Sequence, residues 1–345
     1  MDSRQQLMRD WLNKAFAGLY PEWSPASADA SFRRYFRAHR QKTETNFDQT
    51  PAPQSIIVMD APPDKEPIAG FLHSSSLLSE HGIHVPKIYA SDTELGFIAL
   101  EDLGSVDYLQ KLSQAPDTLY ADATDTLVRL QTAILSQPEA DVELYSKQKL
   151  DAEMQLFEDW YITIHLKKRF STEQTRIWSE LKSSLINVCC QQPQVWVHRD
   201  FHSRNLMVVA SDNPGVIDFQ DMVIGPISYD LASLFKDCYI RWPRTQQLEW
   251  LSDYHRKLNH QLSSMAQAPN DWHFDFTELV RWYDLVGLQR HLKVLGIFSR
   301  LNYRDNKPHY LDDLPLVKQY VVEVMNEYAE TAEFAHAFAQ FLTAD

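Results

Sequence analysis

Between Val197 and Phe219 the chain carries Val197-His198-Arg199-Asp200-Phe201-His202-Ser203-Arg204-Asn205, followed by Val216-Ile217-Asp218-Phe219. Few folds can use such a stretch. A carboxylate, a carboxamide five residues on and a second carboxylate beyond a short hairpin are what transfer of the ATP γ-phosphate asks for. One group takes the proton of an attacking hydroxyl, and two hard oxygen ligands hold magnesium on the phosphates. The spacing predicts one tight loop carrying Asp200 and Asn205. Leu206–Val209 and Val216–Ile217, turned at Ser211-Asp212-Asn213-Pro214-Gly215, then return Asp218 beside Asn205. His198 is assigned a loop-orienting, structural role. His198-x-Asp200-x-His202 also has the look of paired metal ligands, so metal-dependent hydrolysis is the rival from spacing alone. It ranks second because no further ligands stand at recognisable spacing.

The 345 residues, 44% hydrophobic, suffice for one large domain or two lobes with sizeable cores. Lys+Arg 33 against Asp+Glu 47, a net charge of -14, opposes attraction to nucleic acid or anionic membrane. Neither is expected as a partner, and a phosphate-bearing ligand requires a local cation or a metal. Cys189, Cys190 and Cys238 form no C-x-x-C pair and suit a reducing compartment. There is no signal-like segment and no apolar run of membrane-spanning length, so a cytoplasmic protein is expected. The 9 glycines form neither a G-x-G-x-x-G nor a Walker-type cradle.

Hydropathy periodicity predicts an α+β chain. An amphipathic helix over 4–20 places Leu7, Trp11, Ala15 and Leu19 on one face. Strands are expected at 31–37 and 55–59, separated by a polar loop over 41–54. A helix over 68–80 and a hairpin of 87–90 with 96–100 complete a strand-rich lobe. Long helical periodicity then takes over, placing a boundary near Gly104 between lobes 1–104 and 105–345. Helices are predicted over 117–135, 147–166, 172–188, 229–239, 245–262, 276–301 and from 316 to the end.

The H-x-D-x-H-x-x-N loop at His198–Asn205 resembles that of the aminoglycoside phosphotransferase-like kinases, which share the two-lobed protein-kinase-like fold. Protein kinases usually carry Lys where this chain has His202. Ile217-Asp218-Phe219-Gln220 lacks the glycine of D-F-G, and Gly225-Pro226-Ile227-Ser228-Tyr229-Asp230-Leu231-Ala232 resembles the small-molecule kinases' G-D-P-x-x-D-L-A. Ser27–Phe36, Ile57–Pro63 and Gln289–Gly296 look like a narrower subfamily containing the anomeric N-acetylmuramate and N-acetylglucosamine kinases of cell-wall recycling. A C1 hydroxyl is hemiacetal and more acidic than an alcohol, which eases the task of a base.

The resemblance implies ATP and Mg2+ as cofactors, Asp200 as catalytic base, Asn205 and Asp218 as magnesium ligands, and an adenine-binding connector at Leu100-Glu101-Asp102-Leu103. It also implies a phosphate-covering loop from Ser27 to Ser31, and Asp230 as a brace of the catalytic loop. The strand lysine that kinases use to hold the α and β phosphates is replaced by Met59, and Arg33 or Arg34 is the expected substitute. For the sugar, His202, Tyr161, His165, Gln289, Arg290 and His291 are candidates by composition and lobe, and an arginine is expected on any substrate carboxylate. Two further alternatives stay open. One is a kinase of another small hydroxyl substrate of the aminoglycoside, choline or homoserine type. The other is a nucleotide-binding pseudokinase, which has no reason to keep all of Asp200, Asn205 and Asp218.

Overall fold

The computed structural model describes residues 2–28, 32–41, 52–265 and 269–342. Its first helix, α1 (Ser3–Phe16), starts at a capping box in which Asp2 accepts from the backbone of Gln5 and the Gln5 side chain accepts from Asp2, satisfying two amides that the first turn leaves unpaired. Strands β1 (Glu22–Ala28), β2 (Arg34–His39) and β3 (Ser55–Asp60) follow, then α2 (Ala69–Glu80), β4 (Ile88–Asp92) and β5 (Phe97–Glu101). They form one antiparallel sheet of order β1-β2-β3-β5-β4.

Met8, Trp11 and Leu12 of α1 bury against Phe36, Ala38, Ile56, Val58, Phe97 and Ala99 of that sheet. Leu7, expected on this face, is instead 46% exposed: the buried stripe runs one residue later. Strand β1 was not expected, because Pro25 lies inside it. The register slips between Pro25 and Ser27, and an edge strand with a bulge is where a sheet tolerates proline. Most of the polar loop, residues 42–51, lies outside the described residues.

The second half is mainly helical: α3 (Pro116–Ala133), α4 (Lys147–Leu156), α5 (Thr172–Gln191), α6 (Tyr229–Phe235), α7 (Arg244–Ser263), α8 (Phe276–Tyr303), α9 (Leu314–Met325) and α10 (Ala332–Leu342). Short strands β6 (Gln194–Val197) and β9 (Val223–Pro226) pair antiparallel, and β7 (Leu206–Met207) pairs with β8 (Gly215–Val216). The chain divides into two compact units, Met1–Val106 with Met207–Gln220, and Asp107–Leu206 with Asp221–Asp345. Residues 207–220 join the first unit through hydrogen bonds from Val208 N to Val106 O, 2.9 Å, and from Val216 N to His84 O, 2.7 Å.

Two predicted helices are divided. The one over 147–166 changes at Phe157 into a π-helix, Phe157–His165. The C-terminal one breaks after α9, where the Thr331 hydroxyl donates to Met325 O at 2.9 Å and Tyr328 OH reaches Asp284 at 2.6 Å.

Gly296 sets how closely α4 and α8 approach. A Cβ there would lie 2.3 Å from the Leu156 carbonyl carbon and 2.4 Å from its oxygen. Helix propensity alone would favour Ala by about 1 kcal/mol. Overpacking against rigid backbone costs about 1–3 kcal/mol, and more where neither helix can yield. Because the clash is with backbone, the upper end of that cost applies, and Gly296→Ala is expected to destabilise the protein by about 2 kcal/mol net, read from the urea midpoint. An unchanged or raised midpoint would show that α4 can give way.

Candidate active site

Strand β6 delivers the loop His198–Asn205, and α6 fastens it. Asp230, wholly buried, accepts from His198 N at 2.7 Å and Arg199 N at 2.9 Å. The Ser233 hydroxyl, one turn later, donates to Arg199 O at 3.1 Å. These contacts hold Arg199 at φ 77°, a left-handed conformation that costs a bulky residue about 1 kcal/mol. Further along, Asp237 accepts from Ser203 N at 3.0 Å and from its hydroxyl at 2.5 Å. Inside the loop Asn205 Nδ2 donates to Asp200 O at 3.0 Å, and Asn205 N to His202 O at 2.9 Å. The nitrogen end of the carboxamide is thus committed to the loop. Its oxygen is the end suited to a hard cation.

Asp200 and His202 open on a cavity of about 360 Å³ within the second unit, also lined by Glu153 of α4, Arg199, and Arg290 and Lys293 of α8. The Asp200 side chain is 49% exposed, with Arg290 3.9 Å from its carboxylate. Glu153 ties the walls together. It pairs with Arg199, accepts from Tyr145 OH, and lies 3.1 Å from Lys293 Nζ. Lys293 also reaches Tyr229 OH at 3.2 Å.

Burial works against charge on Glu153, but Lys293 and Arg199 outweigh it and hold the carboxyl below its usual value. The same competition sets Asp200. Protein packed around it disfavours the charge, yet Lys293, His202, Arg290 and Arg199 bring it down to about 2. Asp200 is therefore ionised at every working pH.

Other candidates fall elsewhere. His291 is not at the cavity: it is fully buried, bonded at 2.9 Å to Lys236 O and stacked on Tyr320. Tyr161 is buried and donates to Phe341 O at 3.0 Å, and His165 stacks on Tyr161 and meets Tyr303 OH at 3.2 Å. Gln289 is fully buried and does not line the cavity. The sequence reading missed Glu153, Lys293 and Arg199. The one available signal was a lysine inside the apolar run Leu292-Lys293-Val294-Leu295, since a buried lysine requires a partner.

In the first unit Asp218 follows β8 at φ 64° and accepts from Gln220 Nε2 at 2.8 Å. Phe219 beside it packs on Phe71 of α2, rings 4.9 Å apart. Glu101 ends β5, accepting Lys87 N at 3.2 Å, and the Leu103 side chain occupies the space a Cβ on Gly215 would need. Arg37 clamps the connector, meeting both oxygens of Asp102 at 2.8 and 2.9 Å and Gly104 O at 2.7 Å.

The Arg34 guanidinium is taken up by ion pairs rather than left for a phosphate. It is bound by Asp60, which Arg4 of α1 also holds, and by Asp2. Two carboxylates already fill its fork, so it acts as a clamp joining α1, β2 and β3. Arg33 pairs with Glu66 at 3.0 Å. Met59 is fully buried and its neighbour Asp60 carries the strand's charge. Ser31 lies outside the described residues, and Ser27 falls in β1.

A loop carrying an ionised carboxylate and a carboxamide, fastened beside a charged cavity in a helical unit, with a strand-rich unit before it, defines a kinase of the small-molecule type. The Phosphotransferase enzyme family model matches residues 22–268, and the chain belongs to that family. N-acetylmuramate/N-acetylglucosamine kinases of Pseudomonas putida and Neisseria meningitidis are 38% and 36% identical to it, over 98% and 95% of this chain and 97% and 93% of theirs. Among solved structures, ADP-bound aminoglycoside phosphotransferase APH(2'')-Ib superposes with a TM-score of 0.59 at 14% identity, covering 97% of this chain and 99% of that one. Choline kinase from Cryptosporidium parvum gives 0.62 at 12%, covering 99% and 100%. These structures establish the kinase-like α+β fold. Membership of a phosphotransferase family removes the hydrolase alternative.

Burial and the nearby Asp200 charge push Asp230 up to about 7, against the pull of its two N–H donors. A carboxyl raised above its unfolded value adds stability that is full below about pH 4 and is lost as pH rises through about 7. Asp230→Asn removes this dependence. The variant's deficit relative to the parent, in urea midpoints, is expected to shrink from pH 5.5 to pH 8. A deficit unchanged between the two pH values would mean that Asp230 is ionised throughout.

Proposed function

We propose that the chain is an ATP-dependent sugar kinase that transfers the γ-phosphate to the C1 hydroxyl of N-acetylmuramate, N-acetylglucosamine or both. The observation that carries this reading is Asp200, half exposed on a cavity of about 360 Å³ lined by charged side chains. The names of relatives similar over nearly the whole chain supply the acceptor. In this reading residues 1–104 hold the nucleotide and 105–345 the acceptor, within the cytoplasm where ATP is available. Backbone groups at Glu101 and Leu103 meet adenine.

Asn205 and Asp218 fit magnesium by donor chemistry, each offering the hard oxygen that this ion takes. The ion, when bound with ATP, would neutralise charge on the transferring phosphate. Asp200 is a poor base at a value near 2, which suits a loose transition state in which the acceptor proton departs late. Its task is to accept the hydroxyl as a hydrogen-bond donor, aim its oxygen at phosphorus, and take the proton once the new P–O bond has formed. Lys293 and Arg290 hold the carboxylate ionised and in place, at the cost of basicity. A hemiacetal hydroxyl is acidic enough to tolerate that cost. His202 and Arg290, both at the cavity, are the contacts offered to the sugar.

Asp200→Asn is expected to lower turnover by about 10³-fold while magnesium-ATP binding, followed by calorimetry, is retained. The assay should run over amino sugars, aminoglycosides, choline and homoserine. Undiminished transfer by the variant, or a parent enzyme selective for a non-sugar acceptor, would refute the assignment.

A further inference from the structure

Along one face of α8 the residues Arg290, Lys293, Ile297 and Arg300 line the cavity, spaced by three or four as a helical stripe requires. The stripe begins beside Asp200, which lies 3.9 Å from Arg290. Ten residues later, about 15 Å of helix rise, it ends at Arg300. Helical side chains lean toward the N-terminus, so Arg300 reaches back along the cavity toward the Asp200 end.

The cations of this wall differ in one respect. Arg199 and Lys293 are paired with Glu153, and Arg290 faces Asp200 and donates to Cys238 at 3.4 Å. Among the described residues Arg300 has no ion pair, and its Nε is buried without a hydrogen-bond partner. The nearest acidic residue in sequence, Asp305, is held by Arg304 through two bonds of 2.8 Å. Burial and the charge of Arg304 pull Arg300 below the ordinary arginine value, and the more distant Asp305 and Glu153 offset this only in part. A buried donor left unsatisfied is destabilising and persists where a ligand supplies the partner. The cavity lining contains four lysines and arginines against three carboxylates, in a chain of net charge -14.

We propose that Arg300 is a specificity residue that binds a carboxylate substituent of the sugar, distal to the hydroxyl that Asp200 engages. The proposal rests on the amino-sugar kinase reading and deepens it. N-acetylmuramate carries such a carboxylate on its lactyl ether, and N-acetylglucosamine has a hydroxyl in its place. The site then accepts both sugars but holds the acidic one through a fork of charged hydrogen bonds. Arg290 and Lys293 each already face a carboxylate of the cavity, which leaves Arg290 to the sugar's uncharged groups and Arg300 to its carboxylate.

The test compares kcat/KM for N-acetylmuramate, its neutral lactyl carboxamide and N-acetylglucosamine, with the full chain and Mg-ATP. In Arg300→Gln the ratio of acid to N-acetylglucosamine is expected to fall about 10- to 100-fold, chiefly through KM, with part of it recovered in Arg300→Lys. The parent enzyme should lose a similar factor on going from acid to carboxamide, a comparison that needs no variant to fold. Arg300→Gln should distinguish acid from carboxamide poorly. Equal losses on both sugars, or a parent enzyme indifferent to carboxamide for acid, would overturn the role of Arg300 and leave the kinase reading standing. Absence of ADP formation by the parent enzyme with either sugar would overturn the reading itself, and this inference with it.

Discussion

Glu153 ties together three separate stretches of chain. From α4 it pairs with Arg199 in the loop after β6 and with Lys293 in α8, and it accepts from Tyr145. Without that carboxylate, two largely buried cations would face Asp200 unneutralised, and breaking such a group from one side costs about 3–5 kcal/mol. The position of Glu153 depends in turn on Gly296, where bare backbone lets α4 come against α8. Packing at a glycine and charge balance at a carboxylate are therefore one constraint seen at two levels.

The electrostatic consequence reaches the proposed chemistry. A carboxylate ringed by Lys293, His202, Arg290 and Arg199 stays charged but becomes a weak base. That combination fits an acceptor whose proton leaves late and whose hydroxyl is already acidic, and it suits a plain alcohol less. The loop is held from the other side by Asp230 and Asp237, each gripping backbone N–H groups. Asp200 is thus positioned by rigid elements rather than by the loop itself, which is how a site keeps a reactive geometry.

Much of the architecture was legible because it is written locally. The break from strand to helix periodicity, the hairpin of β7 with β8, and the long helix α8 follow from nearest-neighbour patterns and turn residues. The contacts that shape the cavity are not local. Glu153 and Lys293 are 140 positions apart, and no sequence spacing pairs them. Arg34 illustrates the converse: a strand arginine looks available for phosphate until the fold places Asp60 and Asp2 on it. His291 and Arg290 are adjacent in sequence, yet a helix turns one into the core and the other onto the cavity. Periodicity could have separated them only with the packing partners of α8 in hand. The π-helical segment after α4 has no sequence signature of its own, and Pro25 concealed β1 because proline in a strand is read as a break unless a bulge is foreseen.

The most direct measurement is phosphorus-proton correlation NMR on the product formed from N-acetylmuramate or N-acetylglucosamine with ATP and magnesium. Phosphorus should couple to the anomeric proton, with one ADP released for each sugar phosphate. Coupling to any other sugar proton, or release of inorganic phosphate with the sugar unchanged, would contradict it.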